Sequence, residues 1–108
     1  MDTHLQTFIR ATNAFDVEAA LDLFAAEGVI EDASVGETFV GLARIRTYLE
    51  TYFIGYHTVS ALLSSESIGE RRTRAHVDFT GDFGHETGVL EIRVDAAGLI
   101  ERIDATLD

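Results

Sequence analysis

The sequence predicts an α+β domain in which N-terminal helices cover one face of a curved, mainly antiparallel sheet. Helical spacing of apolar residues fills the first half of the chain, and strict alternation follows Gly55. Glycine-containing strings separate the alternating segments, as expected for hairpin turns. At 108 residues the chain has the usual size of one domain, and we expect a single domain over residues 1–108.

Two helices are predicted before the first strand. Apolar spacing at i, i+3, i+4 and i+7 gives the first helix a buried stripe, formed by Leu5, Phe8, Ile9 and Thr12. Asp16 has the side chain of a helix N-cap and is expected to open the second helix. The apolar stripe of that helix extends to Phe24, and Gly28 is expected to end it because glycine tolerates the left-handed conformation.

A short strand pair and a third helix follow. The string VIEDAS, residues 29–34, alternates as a strand does, and ETFV, residues 37–40, is a second extended piece. The third helix is predicted over about 42–54, before Gly55. One broad side of it is apolar and carries Leu42, Ile45, Leu49, Tyr52 and Phe53.

Four long strands complete the predicted sheet. Each alternates apolar and polar residues, and turns are predicted at Gly69, at the string GDFG and at Gly98. The apolar sets that should face the helices are Ala75, Val77 and Phe79, then Leu90, Ile92 and Val94, then Ile103, Ala105 and Leu107. The opposite faces carry mixed charges, which are suited to pairing across antiparallel strands.

Composition excludes several classes of function. The net charge is −11, with 19 acidic against 8 basic residues, so we expect no nucleic acid and no membrane partner. The sequence lacks cysteine, and its histidines have no metal-binding spacing, so we expect no metal and no cofactor. The first residues show no basic region followed by an apolar stretch, and we expect a cytoplasmic protein.

Several strings resemble a known superfamily. Residues 11–53 are similar to the opening half of the nuclear-transport-factor-two-like superfamily, which includes the SnoaL-like polyketide cyclases and the ketosteroid isomerases. The likeness rests on the acidic cap of the second helix, LF near its end, VIED in the strand, and Gly41, Ile45 and Tyr48 on the third helix. The terminal string EIRVDAAGLIERIDA resembles the last hairpin of that family. The resemblance implies a cone-shaped domain and a homodimer packed through the outer sheet face.

The resemblance also implies roles for single residues. In ketosteroid isomerases the aspartate of this strand string is the general base, and it matches Asp32. The tyrosine of their oxyanion hole matches Phe8, which has no hydroxyl, and their late protonated aspartate matches Leu90 or a neighbour. Losing one such donor typically costs a factor of about 10²–10³ in rate, so the steroid reaction by that route is not expected.

The alternation within VIEDAS makes Asp32 the strongest site candidate. Asp32 shares a face with Ile30, so it points inward if Ile30 faces the core. A carboxylate there could act as a general base or anchor a ligand hydroxyl. Two structural explanations of Asp32 remain open in place of a functional one. Its carboxylate could accept hydrogen bonds from the backbone amides that follow it, or its side chain could turn outward to the rim of the domain's interior.

Tyrosine and histidine supply the candidate partners of Asp32. Tyr48, Tyr52 and Tyr56 could donate hydroxyls, with Tyr52 on the apolar side of its helix, or they could be core aromatics with surface hydroxyls. His57 shares a face with Val59, Ala61 and Leu63. If that face lines the interior, His57 could pair with Asp32 near neutral pH; otherwise it is a rim residue.

Two functions follow from these observations. The first is an isomerase, dehydratase or cyclase for a small, hydrophobic, oxygenated molecule, with Asp32 as general base and Tyr52 or His57 as its partner. The second is a non-catalytic ligand-binding or interaction domain with the same apolar space between the helices and the sheet. The side chains expected to contact the ligand are Phe8, Phe24, Tyr48, Val77, Phe79, Leu90 and Ala105.

Overall fold

Helices cover one face of a mixed sheet in the computed structural model, which describes residues 3–108. The six strands within that range lie in the order β2-β1-β6-β5-β4-β3. Neighbouring strands are antiparallel except for β1 and β6, which run parallel. The predicted α+β class and the mainly antiparallel sheet are therefore confirmed. The helices are α1 (Thr3–Asn13), α2 (Val17–Leu21) and α3 (Leu42–Leu49), which continues into a π-helical turn (Glu50–Ile54); the strands are β1 (Phe24–Asp32), β2 (Glu37–Val40), β3 (Val59–Gly69), β4 (Arg72–Gly81), β5 (Gly84–Val94) and β6 (Ile100–Leu107).

The N-terminal residues place α1 on the core. Its predicted stripe is buried throughout, which confirms the helical spacing.

None of the helices in residues 3–108 has the length and apolar character needed to cross a bilayer. Met1 and Asp2, on which the expectation of no leader segment partly rests, lie outside the described residues.

The second helix begins as predicted but ends early. The Asp16 carboxylate accepts a hydrogen bond from the Ala19 amide at 3.0 Å, which confirms the cap. The predicted end at Gly28 is wrong, because β1 already begins at Phe24 and Gly28 lies within it. Phe24 pairs with Ile100 of β6, and this tertiary pairing outweighs the helical spacing of the segment.

The inward face of the long strands is the one predicted. The buried members are Ala75, Val77, Leu90, Ile92, Ile103 and Ala105. On the outer face, Arg74 Nε lies 3.0 Å from a Glu91 carboxylate oxygen on the next strand. Arg102 contacts Asp104 on its own strand and donates to Glu31 on the parallel neighbour β1 at 2.6 Å. The predicted charge pairing across antiparallel strands is therefore confirmed by Arg74 and Glu91.

The inward face of β3 is not the one that carries Val59, Ala61 and Leu63. His57 would reach the interior only if that face pointed inward. Ser60 pairs with Phe79 and Leu62 pairs with Val77, whose side chains face the helices. Directly paired residues share a face of the sheet, so Ser60 and Leu62 point inward. Val59 and Ala61, paired with Thr80 and Asp78, are exposed on the outer face, and the exposed Leu63 follows them in a bulge of β3 between Leu62 and Ser64.

Candidate functional site

A cavity of about 320 Å³ lies between α3 with its π turn and the inward face of the sheet. Asp32 and Ser34 border it at the end of β1, and aromatic and aliphatic side chains form most of the remaining wall. Among these are Tyr48, Tyr52, Phe79, Leu90 and Ala105. The site is therefore a mainly apolar cup with a carboxylate in its wall.

Asp32 points inward as the alternation predicts, and it is only 7 % exposed. Its Oδ1 accepts hydrogen bonds from the Ser34 amide at 2.9 Å and from the Ser34 hydroxyl at 2.6 Å. Its Oδ2 accepts one from the Tyr48 hydroxyl at 2.6 Å. The bond from the Ser34 amide forms an Asx turn, so the predicted backbone contact is present together with the inward orientation.

The two oxygens of Asp32 differ in how many further hydrogen bonds they can accept. A carboxylate oxygen accepts about two hydrogen bonds, so Ser34 saturates Oδ1. Oδ2 receives one from Tyr48 and keeps one acceptor position. A ligand in the cavity would therefore meet Asp32 at Oδ2.

Tyr48 is a buried neutral donor. Burial raises its pKa well above the ordinary tyrosine value, and the charge of Asp32 and the hydrogen bond to it act in the same direction. The Tyr48 ring lies 5.0 Å from the Phe39 ring and 5.3 Å from the Tyr52 ring, centroid to centroid. These contacts fix the ring, so the hydroxyl orients the Asp32 carboxylate.

The raised pKa of Tyr48 predicts a loss of stability at high pH. An unfolded tyrosine ionises at about pH 10, whereas folded Tyr48 keeps its proton to higher pH. The stabilisation that follows from this difference in pKa is complete below about pH 10 and is lost as the pH rises through the pKa of folded Tyr48. We expect the free energy of unfolding, measured with urea across this range, to fall less steeply in Tyr48→Phe. Tyr56→Phe, which removes an exposed hydroxyl, is the control; equal slopes in wild type and Tyr48→Phe would contradict the assignment.

Three tyrosines line one side of the cavity. Tyr48, Tyr52 and Tyr56 are spaced four residues apart, and successive ring centroids lie 5.3 and 6.1 Å apart. Four residues over-rotate an α-helix by about 40°, so the stripe would drift away from the cavity. The wider π turn after Leu49 offsets this drift and keeps Tyr52 and Tyr56 beside Tyr48.

The comparisons with known proteins agree with this architecture. The sequence model of the SnoaL-like domain family matches residues 5–104. The chain belongs to the SnoaL-like family. The resemblance predicted from the sequence is therefore confirmed, although no functionally curated protein matches this SnoaL-like chain at a significant level.

Solved structures with the same fold have been given several functions. A candidate polyketide cyclase from Sinorhizobium meliloti has a TM-score of 0.88 at 20 % identity, over 97 % of this chain and 94 % of that one. A candidate ketosteroid isomerase from Kribbella flavida has a TM-score of 0.85 at 17 % identity, over 97 % and 75 %. A Mycobacterium tuberculosis protein, solved in complex with estradiol-17β-hemisuccinate, has a TM-score of 0.82 at 23 % identity, over 94 % and 88 %. At these identities the likeness establishes the fold of this SnoaL-like protein, and no activity follows from it.

His57 does not reach Asp32 in this SnoaL-like protein, so the predicted pairing is wrong. His57 lies in the turn before β3 with a φ of 54°, and its side chain is 71 % exposed. Its Nδ1 lies 2.9 Å from the Asp82 carboxylate in the β4–β5 hairpin. His57 points away from Asp32 because it was expected on the face of Val59 and Ala61, and the register of β3 with β4 makes that face the outer one.

The expected ligand contacts divide into two groups. Tyr48, Phe79, Leu90 and Ala105 line the cavity, as does Tyr52. Phe8, Phe24 and Val77 lie in the core instead and are not part of the wall. The Phe8 ring contacts Phe53 edge to face at 6.5 Å, and Phe53 is the one of the two that lines the cavity.

Some wall residues were missed by the sequence reasoning although a signal existed. The Asp-x-Ser string predicts an Asx turn, which would have placed Ser34 beside Asp32. Alternation along β5 puts Glu86 on the face of Leu90, four residues later. Tyr48 was expected to contact the ligand, but not as the partner of Asp32. Its position three residues after Ile45 on the buried stripe of α3 could have favoured it over Tyr52 in that role.

Proposed function

We propose that this SnoaL-like protein binds a small, mainly apolar, oxygenated molecule in the cavity and uses Asp32 as a general base. The supporting observation is a buried carboxylate, oriented by Ser34 and Tyr48, in an otherwise apolar and aromatic wall. The volume of about 320 Å³ lies at the small end of the range for small-molecule sites. Isomerisation, dehydration and aldol-type cyclisation are all within reach of one such base.

The free acceptor position on Oδ2 defines the first step. Oδ2 takes a proton from a carbon next to a carbonyl, the C–H bond breaks, and its electron pair moves to the carbonyl oxygen as an enolate. Tyr48 remains bonded to Oδ2 and holds the carboxylate in place. The Tyr52 and Tyr56 side chains on the wall are the candidate donors to the enolate oxygen.

One observation favours binding without catalysis. Leu90 lines the cavity and cannot donate to an oxyanion, and Phe8 lies in the core without a hydroxyl. If the resemblance matches the late aspartate of ketosteroid isomerases to Leu90 itself, neither matched position offers a donor here. A carrier or sensor of the same class of molecule would need only the apolar wall and a hydrogen-bonding carboxylate.

Binding in the cavity can be tested with 6-nitrobenzotriazole, a flat azole whose N–H can donate to Oδ2. We expect saturable shifts of amide NMR signals at Asp32, Ser34, Leu90 and Ala105, because these residues border the cavity. Signals of the outer-face residues Arg74 and Glu91 serve as the internal control. Shifts centred on the outer face, or no saturable shifts, would contradict the proposed site.

We propose in addition that two copies of the chain pack through the outer sheet face. Val59, Ala61 and Leu63 support this, because they leave an apolar strip on the outer face of edge strand β3. Light scattering should give twice the mass of one chain, and Leu63→Glu should lower it. A single-chain mass for the wild-type protein would contradict the dimer. The single domain and the cytoplasmic location stay predictions.

A further inference from the structure

The charged side chains on the cavity wall are acidic. Asp32 and Glu86 both line the cavity, whereas no arginine or histidine of residues 3–108 lines it. Asp32 is buried, and Glu86 is exposed, which places Glu86 at the mouth. The wall therefore presents negative charge at two depths.

The strand register brings Glu86 to the cavity. Glu86 pairs directly with Phe79 of β4, so the two side chains share the inward face. Within residues 3–108, no arginine or histidine forms an ion pair with Glu86. Its charge is thus available to a ligand.

A series of aromatic rings lines the cavity wall outward from Asp32. Beyond Tyr48 and Tyr52, the Tyr56 ring lies 6.1 Å from Tyr52 and 6.3 Å from Phe83. Tyr56 and Phe83 are both partly exposed and line the cavity. The faces of such rings attract cations through their quadrupoles, and several rings around one space form a cage for ammonium groups.

Most positive charges of the chain are paired outside the cavity. The sequence has no lysine. Seven of its eight arginines form ion pairs with carboxylates that do not line the cavity. Arg74 contacts Glu91, and Arg102 contacts Glu31 and Asp104 on the outer face. With a net charge of −11, the field at the mouth favours the approach of cations and disfavours anions.

We propose that the ligand of this cavity is an amine: its ammonium group lies at the mouth between Glu86, Tyr56 and Phe83, and its apolar part reaches toward Asp32. This inference rests on the proposed binding function and narrows its ligand class. An anionic ligand such as a carboxylate would meet two like charges and no cation. A neutral ligand would gain no electrostatic attraction from Glu86.

Three probes with one skeleton test the inference: 3-phenylpropylamine, 3-phenylpropan-1-ol and 3-phenylpropanoate. We expect the amine to bind about 10-fold more tightly than the alcohol, which corresponds to about 1.4 kcal/mol, and the carboxylate to bind most weakly. Glu86→Gln should reduce the preference for the amine over the alcohol to less than about threefold. Dissociation constants from NMR titration provide the measurement.

Asp82→Asn is the matched control, because it removes one negative charge from an exposed carboxylate that does not line the cavity. The preference for the amine should persist in this variant. An equal loss in both variants would assign the preference to general surface charge and overturn the inference. Equal or tighter binding of the alcohol by the wild-type protein would overturn it too, while leaving the proposed function intact. If the amine does not bind, the inference fails, and 6-nitrobenzotriazole shows whether the proposed binding function fails with it.

Discussion

Asp32→Asn is expected to lower kcat/KM for the elimination of 5-nitrobenzisoxazole by about 10²–10⁴-fold, the usual contribution of a general base. In this probe reaction a base removes the ring C–H proton while the N–O bond breaks, and a cyanonitrophenolate is released. The nitroaromatic ring disperses the developing charge, so the reaction does not depend on an oxyanion hole. It therefore isolates the base from the donors that the Phe8 and Leu90 positions do not supply.

The asparagine variant should keep its fold, since its amide oxygen can still accept from Ser34 at Oδ1. Glu31→Gln is the matched control: it removes the neighbouring carboxylate on the same strand, whose side chain is on the outer face against Arg102. Its kcat/KM should stay within about twofold of wild type, as expected for an exposed residue away from the site. Equal rates in wild type and Asp32→Asn, both folded by circular dichroism, would exclude Asp32 as the base and favour binding without catalysis.

Ile45→Ala is expected to lower the free energy of unfolding by about 2–5 kcal/mol, the usual cost of truncating a buried aliphatic residue. Ile45 is fully buried on α3, one turn before Tyr48. It packs in the core together with Leu49, and these contacts hold the helix that carries the cavity tyrosines. Urea denaturation at neutral pH provides the measurement.

Ile54→Ala is the control for that loss. Ile54 lies at the end of the π turn and is 37 % exposed, so its truncation should cost less than half as much. A loss below about 1 kcal/mol in Ile45→Ala would contradict the anchoring of the helix by Ile45, because it is well under the usual cost of truncating a buried aliphatic side chain.

The fold could be predicted well where one periodicity dominates. The stripe of α1 and the inward sets of β4, β5 and β6 each have one clearly apolar face, so burial has a single solution. Prediction failed where local pattern and tertiary pairing conflict. Phe24 fits a helical stripe, yet its pairing with Ile100 makes it the first residue of β1.

The candidate site could be predicted where it depends only on the alternation of side chains along a strand. Asp32 is two residues from Ile30 and therefore points inward, and Glu86 is four residues from Leu90 and would therefore lie on the same wall. His57 was misplaced because both faces of β3 contain apolar residues, and only the register with β4 decides between them. The π turn, which sets the direction of the tyrosines, has no signal in the sequence that we can identify.

The position of a bound azole shows whether Asp32 Oδ2 is the group that meets a ligand in the cavity. In a crystal structure with 6-nitrobenzotriazole, we expect the azole N–H at hydrogen-bond distance from Asp32 Oδ2, about 2.6–3.2 Å. Oδ1 should remain bonded to Ser34, and the Tyr48 hydroxyl should remain on Oδ2. An azole bound outside the cavity, or an Asp32 side chain turned away from it, would contradict the role of Asp32 as the base of this site.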